Sequence, residues 1–159
     1  MFPNLSLPPF EYKIRKAHEK HYIFDVLRKK YVRLTPEEWV RQHFIHYLIT
    51  HKSFPKGLFR IEKILHYHRL SKRADIVVCG RDGKPILLVE CKAANQQISQ
   101  EVFNQAATYN KEIGAYTTII TNGLRHFCYQ TDFSTQEISF INNIPSFTEL
   151  VKDPQEGKD

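Results

Sequence analysis

Long apolar runs are missing from these 159 residues: the longest, Ile76–Cys79 and Ile86–Val89, have four residues each. A membrane-spanning helix needs about 20, so no such segment is expected. Cysteine is scarce too. Cys79, Cys91 and Cys128 make an odd count without metal-type spacing, and each lies in an apolar stretch. They read as reduced, strand-borne cysteines of a cytoplasmic protein. Met1-Phe2-Pro3-Asn4 opens no basic-then-apolar leader, so secretion is not expected. No repeat, low-complexity tract or Gly/Ser linker divides the chain. No Gly-x-x-x-x-Gly-Lys-Ser/Thr phosphate loop is present, so no nucleotide-driven motor is expected within these residues. The His-Glu-X-X-His pattern and the Gly-X-Ser-X-Gly elbow are also absent, which leaves zinc-protease and serine-hydrolase chemistry without a motif.

What is present is the composition of one ordinary globular domain, 42% hydrophobic and 25% charged. Twenty-three Lys and Arg against seventeen Asp and Glu give +6 and a pI near 9.2, a balance that favours polyanionic partners. The excess is uneven. Residues 1–36 hold Lys13, Arg15, Lys16, Lys20, Arg28, Lys29, Lys30 and Arg33 against Glu11, Glu19 and Asp25, eight minus three, or +5 of the total. A solvated surface and a phosphate-contacting one explain that segment equally well. It is read as a basic extension, 1–33, packed on a core domain, 34–152, with 153–159 a frayed tail.

Thr35-Pro36-Glu37-Glu38 is a helix start: Thr caps, Pro takes the first helical position, and Glu38 completes a capping box. Val40, Phe44, Tyr47 and Leu48 then recur at helical spacing, and the helix should end near His51-Lys52. Gly57 to Tyr67 reads weakly as a strand. Asp75–Gly80 and Pro85–Cys91 read clearly as strands joined through Asp82-Gly83. A second helix runs from about Ser99 to Ile113, closed by Gly114. Ala115–Thr121 and His126–Gln130 are strands about an Asn122-Gly123 turn. Ile138–Ile141 adds a further strand and Ser146–Lys152 a short helix. The fold class is therefore α/β, a mixed central sheet flanked by helices in the order α-β-β-β-α-β.

Folding the hairpin by arithmetic brings polar groups together. If Asp82-Gly83 is a two-residue loop, paired positions sum to 165, which sets Asp75 opposite Glu90, Arg73 opposite Lys92 and Cys79 opposite Ile86. Asp75, Glu90 and Lys92 then share one face. Directly opposed β-carbons lie about 4.5–5.5 Å apart, and like charges there repel. A hard divalent ion bound by oxygens relieves that repulsion. Two other readings stand: Asp75 pairs with Arg73 or Lys92, or a longer turn slips the register by one residue and separates the carboxylates.

Asp75, fourteen residues and then Glu90-Cys91-Lys92 match the Asp…Glu-X-Lys core of the PD-(D/E)XK nuclease superfamily. Thr35-Pro36-Glu37-Glu38-Trp39-Val40-Arg41-Gln42, Arg73-Ala74-Asp75-Ile76-Val77-Val78 and Val89-Glu90-Cys91-Lys92-Ala93 resemble, in order, the N-terminal nuclease domain of type I restriction enzyme R subunits. Gln105-Ala106-Ala107-Thr108-Tyr109-Asn110 and Thr121-Asn122-Gly123 extend the likeness, which covers about Leu34 to Gln130. Arg73-Ala74 replaces the Pro expected before the first acidic residue.

The resemblance implies a restriction-endonuclease-like fold and a metal-dependent DNA endonuclease without its own ATPase motor. In that reading Asp75 and Glu90 hold Mg²⁺, with Mn²⁺ as a substitute, and Lys92 positions water or stabilises the phosphate. Relatives often add an acidic residue from the first helix. Glu38 is preferred over Glu37, with Glu62 a third candidate, although the capping box explains Glu38 equally well. Gln105 and Tyr109 match a Gln-X-X-X-Tyr element, Gln105 being placed with the catalytic set. One turn apart, they share a helix face, which an ordinary amphipathic helix also explains. Gln42, Arg73 and Tyr109 are the candidates for DNA contact. Expected partners are DNA and a separate motor or specificity subunit, with no membrane, and a homodimer would let two sites cut two strands. The alternative is a catalytically silent, nuclease-like module that binds DNA or protein. A zinc site using His43, His46, His66 and His68 lacks a supporting pattern.

Overall fold

The computed structural model describes residues 2–60 and 76–152. Its first elements are strands. β1 (Ile14–Ala17), β2 (Lys20–Asp25) and β3 (Lys30–Arg33) form an antiparallel meander in that order. The segment read as a basic extension is thus an ordered sheet. Ile14, Ile23 and Val32 face each other across it and pack on Leu34 and Trp39. Asp25, fully buried, closes the second turn: its Oδ1 accepts from the backbone N–H groups of Leu27 (2.8 Å) and Arg28 (3.2 Å).

Helix α1 (Pro36–His51) begins where the sequence predicts. Thr35 Oγ1 accepts the Glu38 N–H at 3.0 Å, and the helix ends at Lys52. Val40, Phe44, Ile45 and Leu48 carry it onto the sheet. A short 3-10 turn (Lys56–Leu58) leads into β4 (Phe59–Arg60). The rest of the strand expected through Tyr67 lies outside the described residues. β5 (Ile76–Cys79), β6 (Pro85–Cys91), α2 (Gln100–Ile113), β7 (Thr117–Thr121), β8 (His126–Asp132), β9 (Glu137–Ile141) and α3 (Phe147–Val151) follow. Among the described residues the main sheet has six strands in the order β4-β5-β6-β7-β8-β9. It is mixed: β6 and β7 are parallel, joined through α2, and every other pair is antiparallel.

The two faces of β6 look at different helices. Leu87, Val89 and Cys91 pack with α1, whereas Leu88 packs with Tyr109 and Ile113 of α2. All three cysteines are free and buried on strands, and burial pushes the Cys128 thiol up to about 12. No helix among the described residues is long and apolar enough to cross a membrane.

The hairpin corrects the arithmetic in one place. Gly83 takes φ +83°, its N–H donates to the Gly80 carbonyl at 3.0 Å, and the Gly80 N–H donates to the Lys84 carbonyl at 2.8 Å. The loop is therefore Arg81-Asp82-Gly83, one residue longer than the Asp-Gly signal implies, and Cys79 faces Pro85 rather than Ile86. A bulge between Val78 and Cys79 absorbs the difference. Val78 then faces Leu87, Val77 faces Leu88 and Ile76 faces Val89, all on the expected sum.

Candidate active site

Glu90 and Lys92 stand at the C-terminal end of β6, the strand at which the sheet changes from antiparallel to parallel pairing. Ligand sites in open α/β sheets favour such strand ends. Two residues apart, the side chains share the face toward α2, and Lys92 Nζ lies 3.1 Å from Glu90 Oε1. They are 6% and 3% exposed. A charge pair this deep needs fixed geometry to offset the loss of hydration, and the neighbouring strand supplies it. The Lys92 N–H donates to the Thr121 carbonyl at 2.8 Å. Thr121 Oγ1 accepts from the Gly123 N–H at 2.9 Å, and Asn122 Nδ2 donates to the Gln96 carbonyl at 2.9 Å. The Thr121-Asn122-Gly123 turn thus holds both the end of β6 and the loop that leaves it, a role its place in the motif order did not disclose.

Around this pair the face is polar above and apolar below. Ile120 pairs with Glu90 across the parallel ladder, and Val102 and Ala106 of α2 pack on it. The helical turn that carries Gln105 is therefore level with Glu90. Gln105 itself is exposed and donates to Glu101 Oε1 at 3.5 Å. Tyr109, one turn on, is 7% exposed and packs with Val77, Cys79 and Leu88, which leaves its ring little surface for a DNA strand. Tyr129 lies on the same face. Burial raises its phenol pKa, the Glu90 charge adds to the rise, and the Thr118 hydroxyl acts against it.

Glu38 is elsewhere. Both of its carboxylate oxygens accept from Arg41 Nη1 at 2.8 Å, and Gln42 Nε2 approaches Oε2 at 3.5 Å. Arg41 also faces the fully buried Asp25 at 3.9 Å, and Arg28 lies 3.6 Å from that carboxylate. Among the described residues these acids and arginines form a network between the meander and the start of α1, beside a cleft of about 420 Å³. The capping box is thus only half formed, because the Glu38 carboxylate serves Arg41. The helix that carries it packs on the opposite face of β6 from Glu90. Gln42 is fully buried. Glu37 is exposed. Asp75, Arg73 and Glu62 lie outside the described residues, as do His66 and His68.

Among the described residues no three His, Cys, Asp or Glu side chains gather as a metal cluster. His43 Nδ1 faces the Trp39 carbonyl at 2.8 Å, and the His46 ring stacks on Phe10 at 4.0 Å. At the Glu90 end, one hard carboxylate oxygen donor is buried beside an ammonium, a donor type suited to Mg²⁺.

The type I restriction enzyme R protein N terminus family matches residues 36–145, more than half of the chain. A solved fragment of a protein assigned as an HsdR subunit of a type I restriction enzyme, from Vibrio vulnificus YJ016, is 34% identical, with a TM-score of 0.38. That match covers 51% of this chain and 15% of the Vibrio chain. No curated protein sequence matches.

Proposed function

Because the chain belongs to the family of type I restriction enzyme R protein N termini, we propose that it is a metal-dependent DNA endonuclease of the PD-(D/E)XK kind. The observation that carries this reading is the buried Glu90–Lys92 pair, 3.1 Å apart at the end of the central strand. A lysine and a carboxylate withdrawn from water add little to solubility and are costly to bury. They suit a site where charge develops on a phosphate.

In this proposal Glu90 and Asp75 hold Mg²⁺ or Mn²⁺. When bound, the ion would polarise the scissile phosphate and lower the pKa of a water molecule. Lys92 places its ammonium where negative charge grows on the phosphate oxygens, and in a water-poor site such a donor stabilises the transition state more than the ground state. The Thr121 carbonyl fixes the Lys92 backbone, so the ammonium is aimed before substrate arrives. The proposed role of Gln105, exposed on the α2 turn level with Glu90, is to contact the DNA backbone or orient Lys92. Glu38 has both oxygens on Arg41, and its proposed role is to seat the meander against α1. The chain's proposed partners are DNA and a motor or specificity component.

Cleavage of supercoiled and linear DNA with Mg²⁺, with Mn²⁺ and with chelator, beside Glu90→Ala, tests the reading. Metal-dependent cutting that disappears in a folded variant is expected. A fully active Glu90→Ala protein would refute it. A folded wild-type chain that binds DNA and never cuts would identify instead a silent nuclease-like module.

A further inference from the structure

The β1–β3 meander turns one face to Trp39 and the other to solvent, and the solvent face has an unusual composition. One row across the three strands reads Arg15, Tyr22, Arg33. The next reads Lys13, Phe24, Tyr31: Lys13 joins it through its carbonyl, which accepts from the Phe24 N–H at 2.9 Å. The cations are exposed and the rings half-buried. The Arg15 guanidinium lies over the Tyr31 ring, 4.1 Å from its centre, and the Lys13 ammonium over Phe24 at 5.7 Å. Phe24 and Tyr31 meet edge to face at 5.4 Å.

Two contrasts give this face meaning. Arg28 and Arg41, on the inner side, are matched by Asp25 and Glu38. No carboxylate among the described residues pairs with Lys13, Arg15 or Arg33. The charges of Lys13 and Arg15 are also held in place, because cation–π contact restrains long side chains that would otherwise sweep through solvent. Strands in a sheet are about 4.8 Å apart, so Arg15 and Arg33, flanking Tyr22, leave the backbone roughly 10 Å apart on one face.

We infer that the outer face of the meander is a sequence-independent contact for the phosphate backbone of duplex DNA, made by Lys13, Arg15 and Arg33. Phosphates are favoured over unpaired bases because two of the three rings are already covered by the protein's own cations. The family match begins at residue 36, after the meander, so this surface belongs to the part of the chain that the family does not cover. The inference rests on the reading of DNA as substrate and adds a docking surface away from Glu90 and Lys92.

The test is binding of a short fluorescent duplex of mixed sequence by the full chain, with chelator present so that nothing is cut. Titrations at several salt concentrations compare wild type, Arg15→Gln/Arg33→Gln, the charge-preserving Arg15→Lys/Arg33→Lys, and a control losing two exposed charges elsewhere, Lys84→Gln/Lys111→Gln. Loss of two phosphate contacts should flatten the slope of log K against log salt by about 1.8. The Lys pair should keep most of the slope, which separates lost charge from lost folding, and the control should change it little. Wild-type binding by the Gln pair, or an equal loss in the control, would overturn the inference. Stronger binding to single strands, abolished by Tyr31→Leu, would overturn it in favour of base stacking. Cleavage is scored separately with Mg²⁺: salt-dependent binding without cutting sinks the nuclease reading alone.

Discussion

Asn110 and Ala115 exchange two hydrogen bonds: the Asn110 carboxamide donates to the Ala115 carbonyl at 2.8 Å and accepts the Ala115 N–H at 2.9 Å. The exchange spans the left-handed Gly114, φ +79°, which ends α2. It fixes where the helix stops and β7 begins, and hence how high α2 stands against Glu90. Asn110→Ala would leave a buried N–H and a buried carbonyl without their partner, a loss of about 2–4 kcal/mol. Chemical denaturation would measure it.

Glu38 and Arg41 should behave as a structural pair. Removing either partner takes the shortest ion-pair contact from a buried charge and should destabilise by about 3–5 kcal/mol. The double variant Glu38→Ala/Arg41→Ala should lose less than the sum of the singles. A double-mutant cycle in urea checks this. Should Glu38→Gln instead leave stability intact and abolish metal-dependent cutting, Glu38 belongs to the metal site.

Acid should loosen the protein below pH 6.5. Burial lowers the pKa of His43, against an opposing bond to the Trp39 carbonyl, and of His126, against one to the Ser6 carbonyl. His46 is lowered by burial, then by His43 and Lys56, with Asp25 opposing. Their folded values lie below the ordinary 6.5, so the unfolded chain takes up protons more readily. Stability is full above that pH and declines as pH falls toward the folded values. Melting temperatures at pH 7.5 and pH 5.5 should differ in that direction, and His46→Gln should flatten part of the slope.

Lys92→Met keeps the apolar stem and removes the ammonium. If Lys92 stabilises the phosphate, cleavage should fall by about 10²–10³, on the scale of losing one oriented donor, with DNA affinity little changed. Single-turnover cleavage beside equilibrium binding separates the two. Unaltered cleavage would remove Lys92 from the chemistry.

Gly123→Ala should unsettle the segment that precedes β1. Gly123 has φ +84°, and an added Cβ would fall 2.8 Å from Leu5 Cδ2 and 3.2 Å from Val40 Cγ2. Strain of about 1–3 kcal/mol is expected. The same turn accepts the Ser6 N–H at 2.7 Å, so protease should cut sooner near residues 2–12. Equal resistance in variant and wild type would refute this.

Elements with local chemical punctuation were legible in the sequence. Thr35-Pro36 and Gly114 mark helix ends that the structure keeps, and the Ser146 capping box opens α3. The meander was not legible, because its turns lack Gly, Asn and Asp-Gly. His18 and Glu19 take φ of 52° and 65°, and Lys29 takes 55°. These backbones are forced by packing of Ile14, Ile23 and Val32 on Trp39, contacts between residues far apart in sequence. The shared face of Glu90 and Lys92 followed from strand alternation alone, whereas the ion pair between them did not. The Glu38–Arg41–Asp25 network did not, because Asp25 reaches it from another sheet. Whether Asp75 meets Glu90 lies outside the described residues.

The turn between β5 and β6 obeys a rule of inheritance. Its three-residue loop and the bulge at Val78/Cys79 are separate irregularities whose lengths cancel. A single inserted or deleted codon in this stretch would leave one uncancelled and carry the far half of one strand to the wrong side of the sheet. Relatives that trim the loop should therefore also have lost the bulge, so that gain and loss of residues here travel in pairs.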